Sequence, residues 1–265
     1  MTDVEHRNAL PRLIAVQIGF IGSGNIARAL AVGWGDPALF TDGGSGRAAA
    51  LAAEVGGEAV ASNRELAERA DVVVLAHKPY QLEAVAEQIA GATRVAVTLL
   101  ARTPQAAVRA LLPGATVFRV EPNTPSELGC GVLAFAVPDA PADEQLVAEL
   151  HALFGRLGTV VDVPEHLMPV AGATAGVGPA YVALFAEAWI DSAVRRGLSP
   201  EVASTLVTET LAGSAALLRA LDHDTLRLRR AVASPGGSTA RGLAALERGG
   251  VRAALAQAMD DVVDA

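Results

Sequence analysis

The sequence predicts an α/β fold in which a doubly wound, mostly parallel sheet is followed by an all-helical domain. Three observations carry that expectation. Short apolar runs alternate with helical segments over the first 162 residues, a glycine-rich turn joins the first run to the first helix, and no good strand remains from Leu167 onward. Taken in order, "LIAVQIGFIG" reads as a buried strand and "NIARALAVGWG" as the helix after it. "ALFTD" is a second strand, "RAAALAAEVG" a helix, and "ADVVVLAHKP" a strand that Pro79 ends. "YQLEAVAEQIA" returns to helical spacing, and "RVAVTLL" and "TVFRV" read as further strands. The composition changes near "GTVVDVPEH". Beyond it, "AYVALFAEAWIDSAVRRG", "PEVASTLVTETLAGSAALLRAL" and "TARGLAALERGGVRAALAQAMDDVVDA" place apolar residues at helical spacing, with Pro200 as a first-turn proline. The expected domains are 1–162 and 163–265. The helices of the second are too apolar for one solvated bundle, so their remaining faces are expected to meet another subunit.

The bulk properties exclude several classes of function. The chain has 265 residues, 51% of them hydrophobic, enough to bury a substantial core. A formal net charge of −8 argues against a general nucleic-acid binder, and the short run Arg227, Arg229, Arg230 reads as a solvated helix face. A single cysteine, Cys130, rules out an intrachain disulfide framework and makes a reducing, cytoplasmic setting the expectation. No apolar run approaches the ~18 to 20 residues that span a bilayer, and "MTDVEHRNALPR" lacks a secretory signal pattern. The five histidines are scattered without metal-ligand spacing, so no metal site is expected. Of the 21 basic residues only Lys78 is lysine.

The clearest chemistry lies in "VQIGFIGSGNIARAL". Gly22, Ser23, Gly24, Asn25, Ile26 and Ala27 match G-x-G-x-x-G/A directly after a strand and at the opening of a helix. Gly22 permits the tight turn, Gly24 lets a pyrophosphate approach the backbone, and small Ala27 lets helix and sheet pack closely. This is a Rossmann-like dinucleotide site. The end of the second strand is ambiguous between cofactors. Asp42 can accept bonds from the ribose hydroxyls of NAD or cap its own turn, whereas Ser45 and Arg47 can hold a 2′-phosphate. The reading favours NADPH, with NADH as the alternative.

Near the end of the chain, "AVASPGGSTARGL" interrupts two helical runs. It can be a plain connection with Ser238 or Thr239 as a helix cap, or a helix start whose N–H groups hold an anion. With the fingerprint, "LAHKP", "EPNTP", "AGVGPAYV" and "SPGGST" in that order, the chain resembles pyrroline-5-carboxylate reductases from about Ile14 to its C-terminus. The resemblance implies that Ser234, Gly236, Gly237, Ser238 and Thr239 bind the substrate carboxylate, with Thr239 near the imine nitrogen as the catalytic hydroxyl. It implies that Asn63 lies near the adenosine, that Ala76, Lys78 and Pro79 lie beside the cofactor ribose, and that Asn123, with Thr124, lies beside the nicotinamide. Tyr181 and Glu187 match family positions for which packing is the expected role. A homodimer with interlocked C-terminal helices, or a larger assembly of dimers, is implied too, with the active site between subunits. The reaction implied is NAD(P)H-dependent reduction of 1-pyrroline-5-carboxylate to L-proline. A different cyclic imino acid and a non-catalytic NADPH-binding regulator are the alternatives.

The chain also departs from that family. Glu121 stands where Met is usual before Pro-Asn, Arg102 where Gly is usual, and Ala175 and Val177 where serines are usual. Arg102 and Glu121, opposite charges at the ends of neighbouring strands, are expected either to pair or to line an altered pocket.

Overall fold

The computed structural model describes residues 16–264, so the opening segment and the first part of the expected strand, Leu13–Ala15, lie outside the described residues. The chain divides into two compact units between Gly176 and Val177.

The first unit holds strands β1 (Ile18–Ile21), β2 (Leu39–Thr41), β3 (Glu58–Ala59), β4 (Val72–Leu75), β5 (Val95–Thr98), β6 (Thr116–Glu121), β7 (Gly131–Ala136) and β8 (Gly158–Val163). Helices α1 (Asn25–Trp34), α2 (Arg47–Val55), α3 (Asn63–Arg69), α4 (Leu82–Ile89), α5 (Gln105–Leu111), α6 (Glu144–Gly155) and α7 (Met168–Ala171) connect and follow them. The sheet order is β3-β2-β1-β4-β5-β6-β7-β8. Every pairing is parallel except β6 with β7. The doubly wound, mostly parallel sheet expected from the sequence is therefore present. Strands β3, β7 and β8 and helices α3, α5, α6 and α7 add to the elements named above.

Burial of both sheet faces explains the continuous apolar strands. On one face Phe20, Phe40, Phe118 and Phe135 meet Leu30, Trp34 and Phe154 from helices α1 and α6. The Phe20 and Phe40 rings stack at 5.4 Å, and the Trp34 indole N–H donates to the Leu153 carbonyl at 2.8 Å. On the other face Leu75, Ala96 and Val117 pack with Leu66, Val85, Ile89 and Val108 of α3 to α5. Each such buried aliphatic or phenyl group stabilises the fold by about 1.5–3 kcal/mol relative to exposure. Over the β7–β8 end, Met168 closes on Ala134 and Ala136.

The second unit is helical among its described residues: α8 (Gly178–Val194), α9 (Pro200–Ala220), α10 (Thr225–Val232), α11 (Ser238–Arg248) and α12 (Val251–Asp264). Ser199 caps α9 by accepting from the Val202 N–H, with Pro200 in the first turn as expected. Tyr181 of α8 donates to the Ala258 carbonyl of α12 at 3.4 Å. Val182, Leu184, Phe185, Trp189 and Leu206 are exposed on α8 and α9. One expectation needs correction: the helical run Glu165–Val194 is long and apolar enough to cross a membrane by length and composition. Reading uninterrupted apolar letters missed it because a π-helical turn, Gly172–Gly176, joins α7 to α8 into one helical run. That run still carries Glu187 and Asp191 among its apolar residues.

Candidate functional site

Strands β1, β4, β5 and β6 are parallel neighbours, so their carboxyl ends share one edge of the sheet. The chain order reverses between β1 and β4, the place where such sheets take ligands. The turn from β1 into α1 is built for close approach there. Gly22 has φ 101, and a Cβ on it would lie 2.6 Å from the Ala76 carbonyl carbon and the His77 nitrogen. Gly24 is the N-cap of α1 with no side-chain cap, and a Cβ on it would meet nothing within 4 Å. The first N–H groups of α1, from Asn25 and Ile26 onward, thus face an open approach with the positive end of the helix behind them. Ser23 turns its hydroxyl inward to the Thr41 carbonyl at 3.1 Å, and Ala27 is fully buried against the sheet. These features form a cradle that fits a dinucleotide pyrophosphate.

At the end of β2 the structure resolves the role of Asp42. Its Oδ1 accepts from the Gly44 and Ser45 N–H groups at 2.7 and 3.2 Å, and Oδ2 from the Ser45 hydroxyl and Ala48 N–H at 2.9 Å each. Partial burial pushes its pKa up, but the Ala48 N–H, the Ser45 hydroxyl and the Gly44 N–H outweigh this and hold it below the usual carboxylate range. Asp42 is a turn cap occupying the start of α2. Arg47 opens that helix and, with Ser23, Gly24, Asn25, Arg28 and Glu54, lines a cavity of about 170 Å³. Arg28 is neutralised there by Glu54 and by Glu127 at 3.0 Å.

The remaining expected cofactor residues fall along the same edge. Asn63, the first residue of α3, accepts from the Thr41 hydroxyl at 2.5 Å and donates to Gln88 at 2.6 Å. Ala76 extends β4 by donating its N–H to Ile21 at 2.9 Å. Lys78 is exposed and precedes the short turn Pro79–Gln81. Asn123 is buried: it donates to the Ala175 carbonyl at 3.1 Å and accepts from the Val132 N–H at 2.9 Å. Its amide therefore ties the end of β6 to the π-helical turn and to β7.

Next to Asn123 lies a polar cluster of which sequence reasoning names only Glu121, as a charged and paired residue, and misses Arg119, Glu165 and Gln105. Arg119, with only 3% of its side chain exposed, donates to Glu121 at 3.0 Å and to Glu165 at 3.2 Å. Gln105 joins in, donating its backbone N–H and Nε2 to Glu165 at 3.1 and 2.8 Å. Burial pushes the Glu121 carboxyl above the usual range against the pull of Arg119, and the charge of Glu165 adds to the rise. The Glu121 carboxylate stands against the π-helical turn, 3.7 Å from where a Cβ on Gly172 would lie. Arg119 is the cation the structure shows on Glu121. Arg102 occupies the turn after β5 with φ 58. An arginine inside the apolar strand "TVFRV" was the available signal.

In the second unit, Ser234–Gly237 joins α10 to α11. The N-cap of α11 is Gly237, with no side-chain cap, so Ser238 and Thr239 stand in the first turn and not in the capping position. Gly236 has φ 68, and a Cβ on Gly237 would lie 2.5 Å from the Ser234 hydroxyl oxygen. The loop thus brings the Ser234 hydroxyl to the start of α11, whose first turn Ser238 and Thr239 occupy. An anion fits that chemistry.

Comparisons with known proteins agree with both units. Residues 165–265 match a family model described as pyrroline-5-carboxylate reductase dimerisation, and residues 17–102 one described as NADP oxidoreductase coenzyme F420-dependent. A pyrroline-5-carboxylate reductase of Synechocystis is 36% identical over 199 residues, 74% of each chain. One from Mycobacterium tuberculosis is 39% identical over 223 residues, 74% of this chain and 75% of the relative. Among solved structures, 1-pyrroline-5-carboxylate reductase from Streptococcus pyogenes superposes with TM-score 0.86 at 26% identity, covering 94% of this chain and 97% of the other. Plasmodium falciparum pyrroline carboxylate reductase with NADP bound gives 0.83 at 26% identity, covering 94% and 96%.

Proposed function

The chain belongs to the pyrroline-5-carboxylate reductase family, and from that premise we propose that it reduces 1-pyrroline-5-carboxylate to L-proline with NADPH. The observation that carries this reading is a pair of helix starts, α1 behind Gly24 and α11 behind Gly237, each capped by glycine and lacking a side-chain cap; α2 behind Gly46 is a third, but there Asp42 accepts from the Ala48 N–H. Helices α3, α6, α9 and α10 instead fill that position with Ser62, Asp143, Ser199 and Asp224. A cofactor pyrophosphate and a substrate carboxylate are the two anions such an enzyme must hold.

The backbone N–H groups around Ser23, Gly24, Asn25 and Ile26 bind the pyrophosphate. Arg47 faces the adenosine 2′-phosphate, since Asp42 is already saturated by its own turn and offers no free acceptor for a ribose diol, while Ser45, whose N–H and hydroxyl both donate to Asp42, shapes that turn. Asn63, Ala76, Lys78, Pro79 and Asn123 shape the rest of the cofactor edge. The cofactor, when bound, supplies a hydride to the imine carbon. Ser234, Gly236, Gly237 and Ser238 hold the substrate carboxylate, and the Thr239 hydroxyl serves the imine nitrogen. Holding the two reactants in contact removes much of the entropic cost. The apolar faces of α8 and α9 close against a second subunit as a homodimer with interlocked helices, in the cytoplasm.

The test is NADPH oxidation by purified protein with 1-pyrroline-5-carboxylate, with NADH in parallel and mass measured in solution. Turnover with NADPH by a dimer supports the reading. Intact NADPH binding without turnover overturns it. The buried charge of Glu121 favours one second reading, a different carboxylated cyclic imine, which other ring sizes in the same assay detect.

A further inference from the structure

We infer that Glu121, held by Arg119, is a specificity-determining residue that recognises the cationic ring nitrogen of the imino-acid substrate. This rests on the proposed reduction of a carboxylated cyclic imine. Three observations carry it. First, Glu121 is the last residue of β6, on the carboxyl edge shared with β4 and β5. That is the side of the switch point away from β2, which takes the adenosine half of a dinucleotide, so a reacting ring lies along this edge.

Second, the carboxylate is fixed. Arg119 binds Oε1 and is itself anchored by Glu165, which Gln105 grips with two N–H groups. Gln105 is fixed in turn by donating to the Val137 carbonyl at 3.1 Å. Third, the charges do not cancel. Among the described residues Glu121 and Glu165 share one guanidinium, so this cluster carries a net negative charge while Arg119 is buried. The Glu121 side chain retains 17% exposure beside Gly172, where no side chain intervenes. A buried carboxylate with one oxygen committed and one cation too few for its cluster is a receptor for a second cation. Of the two reactants, only the imine nitrogen supplies one when protonated, and the secondary ammonium of the product presents the same charge.

Among the described residues, the groups shown facing Glu121 are Arg119 on its own strand, Glu165 from the turn before α7, and the uncharged Gly172 of the π-helical turn. In this arrangement Glu121 stabilises the protonated ring and so extends turnover to higher pH. It positions no hydride and transfers no proton.

The experiment is calorimetric binding of L-proline and of cyclopentanecarboxylate, a carboxylated ring without nitrogen, to wild type and Glu121→Gln. The proposal expects wild type to prefer the nitrogen-bearing ring, and the variant to lose roughly tenfold in proline affinity, the size of one charge-assisted hydrogen bond. Cyclopentanecarboxylate affinity should stay level. The alkaline limb of kcat/KM should also move to lower pH in the variant. Equal losses for both ligands, or no loss for either, overturn the proposal. If Glu121→Gln does not fold, wild type decides alone: no preference for proline over cyclopentanecarboxylate refutes it. Failure of the functional reading looks different, because wild type would then bind neither carboxylated ring.

Discussion

Arg119 of β6 reaches Glu165, 46 residues later in the chain, with Nη1 3.2 Å from its carboxylate, and so pins the turn before α7 onto the sheet. An arginine in a buried strand is costly unless paired, and here it is paired twice. Removing it strands two carboxylates. Arg119→Met should destabilise the protein by about 3 kcal/mol, the low end for breaking a buried pair, since both carboxylates keep some exposure. Urea unfolding measures this, and Arg119→Met combined with Glu165→Gln should recover part of the loss. A cost below about 1 kcal/mol would mark the pair as a surface-type interaction.

The two fingerprint glycines should fail in different ways. At Gly22 a methyl group meets the Ala76 backbone at 2.6 Å and φ is 101, so Gly22→Ala lowers the melting temperature of the cofactor-free protein. At Gly24 a methyl group meets nothing, so Gly24→Ala costs only the difference between glycine and alanine as an N-cap and lowers that melting temperature less. It should nonetheless weaken NADPH binding by roughly tenfold or more, because the added atom occupies the approach to the first N–H groups of α1. Thermal melts and fluorescence titration separate the two, and equal melting temperatures would contradict the assignment.

Cofactor choice should rest on Arg47. Loss of a charge-assisted contact to a 2′-phosphate is worth about 1.5–3 kcal/mol, so Arg47→Ala should raise the NADPH Kd roughly 10- to 100-fold and leave NADH unchanged. Parallel titrations with both cofactors decide it. A shift common to both would place Arg47 elsewhere on the dinucleotide.

His77 should make stability depend on pH. Its Nδ1 lies 2.8 Å from the Lys78 carbonyl, so this nitrogen carries the proton, and Nε2 is buried without a partner among the described residues. Burial lowers its pKa, and the Lys78 carbonyl only partly opposes this. The unfolded chain therefore takes up a proton near the ordinary histidine value, about 6.5, while the folded chain resists until lower pH. Stability is present above that value and is lost as pH falls through it. Melting curves between about pH 7.5 and 5.5 should drop further for wild type than for His77→Asn. Parallel pH profiles would assign the charge penalty to other groups.

Much of this architecture is legible because its causes are local. A parallel strand buried on both faces is a continuous apolar run, which is how "ADVVVLAHKP" and "TVFRV" announce β4 and β6. The fingerprint is legible because Gly22 and Gly24 answer to backbone geometry alone. What escaped depends on partners distant in sequence. Arg119 has meaning only beside Glu165, and β7 owes its place to an antiparallel pairing with β6 that no local pattern states. Asp42 had two admissible roles until the N–H groups of Gly44, Ser45 and Ala48 were seen to converge on it. At α11 the hydroxyl residues suggested a cap, but the preceding Gly237 takes that place and leaves them in the first turn.

That substitution of a glycine for a capping side chain can be tested directly. Gly237 has φ −68, so alanine is tolerated by the backbone, and the conflict is with the Ser234 hydroxyl at 2.5 Å. Gly237→Ala should displace that hydroxyl and crowd the helix start. The KM for the imine should rise roughly tenfold, about 1.4 kcal/mol, while the NADPH Kd stays as in wild type. If the effect is crowding, the added Ser234→Ala change relieves the clash, and the double variant should lose less than the product of the two single losses. If instead NADPH affinity falls along with imine affinity, the loop serves the cofactor and the carboxylate must be bound elsewhere.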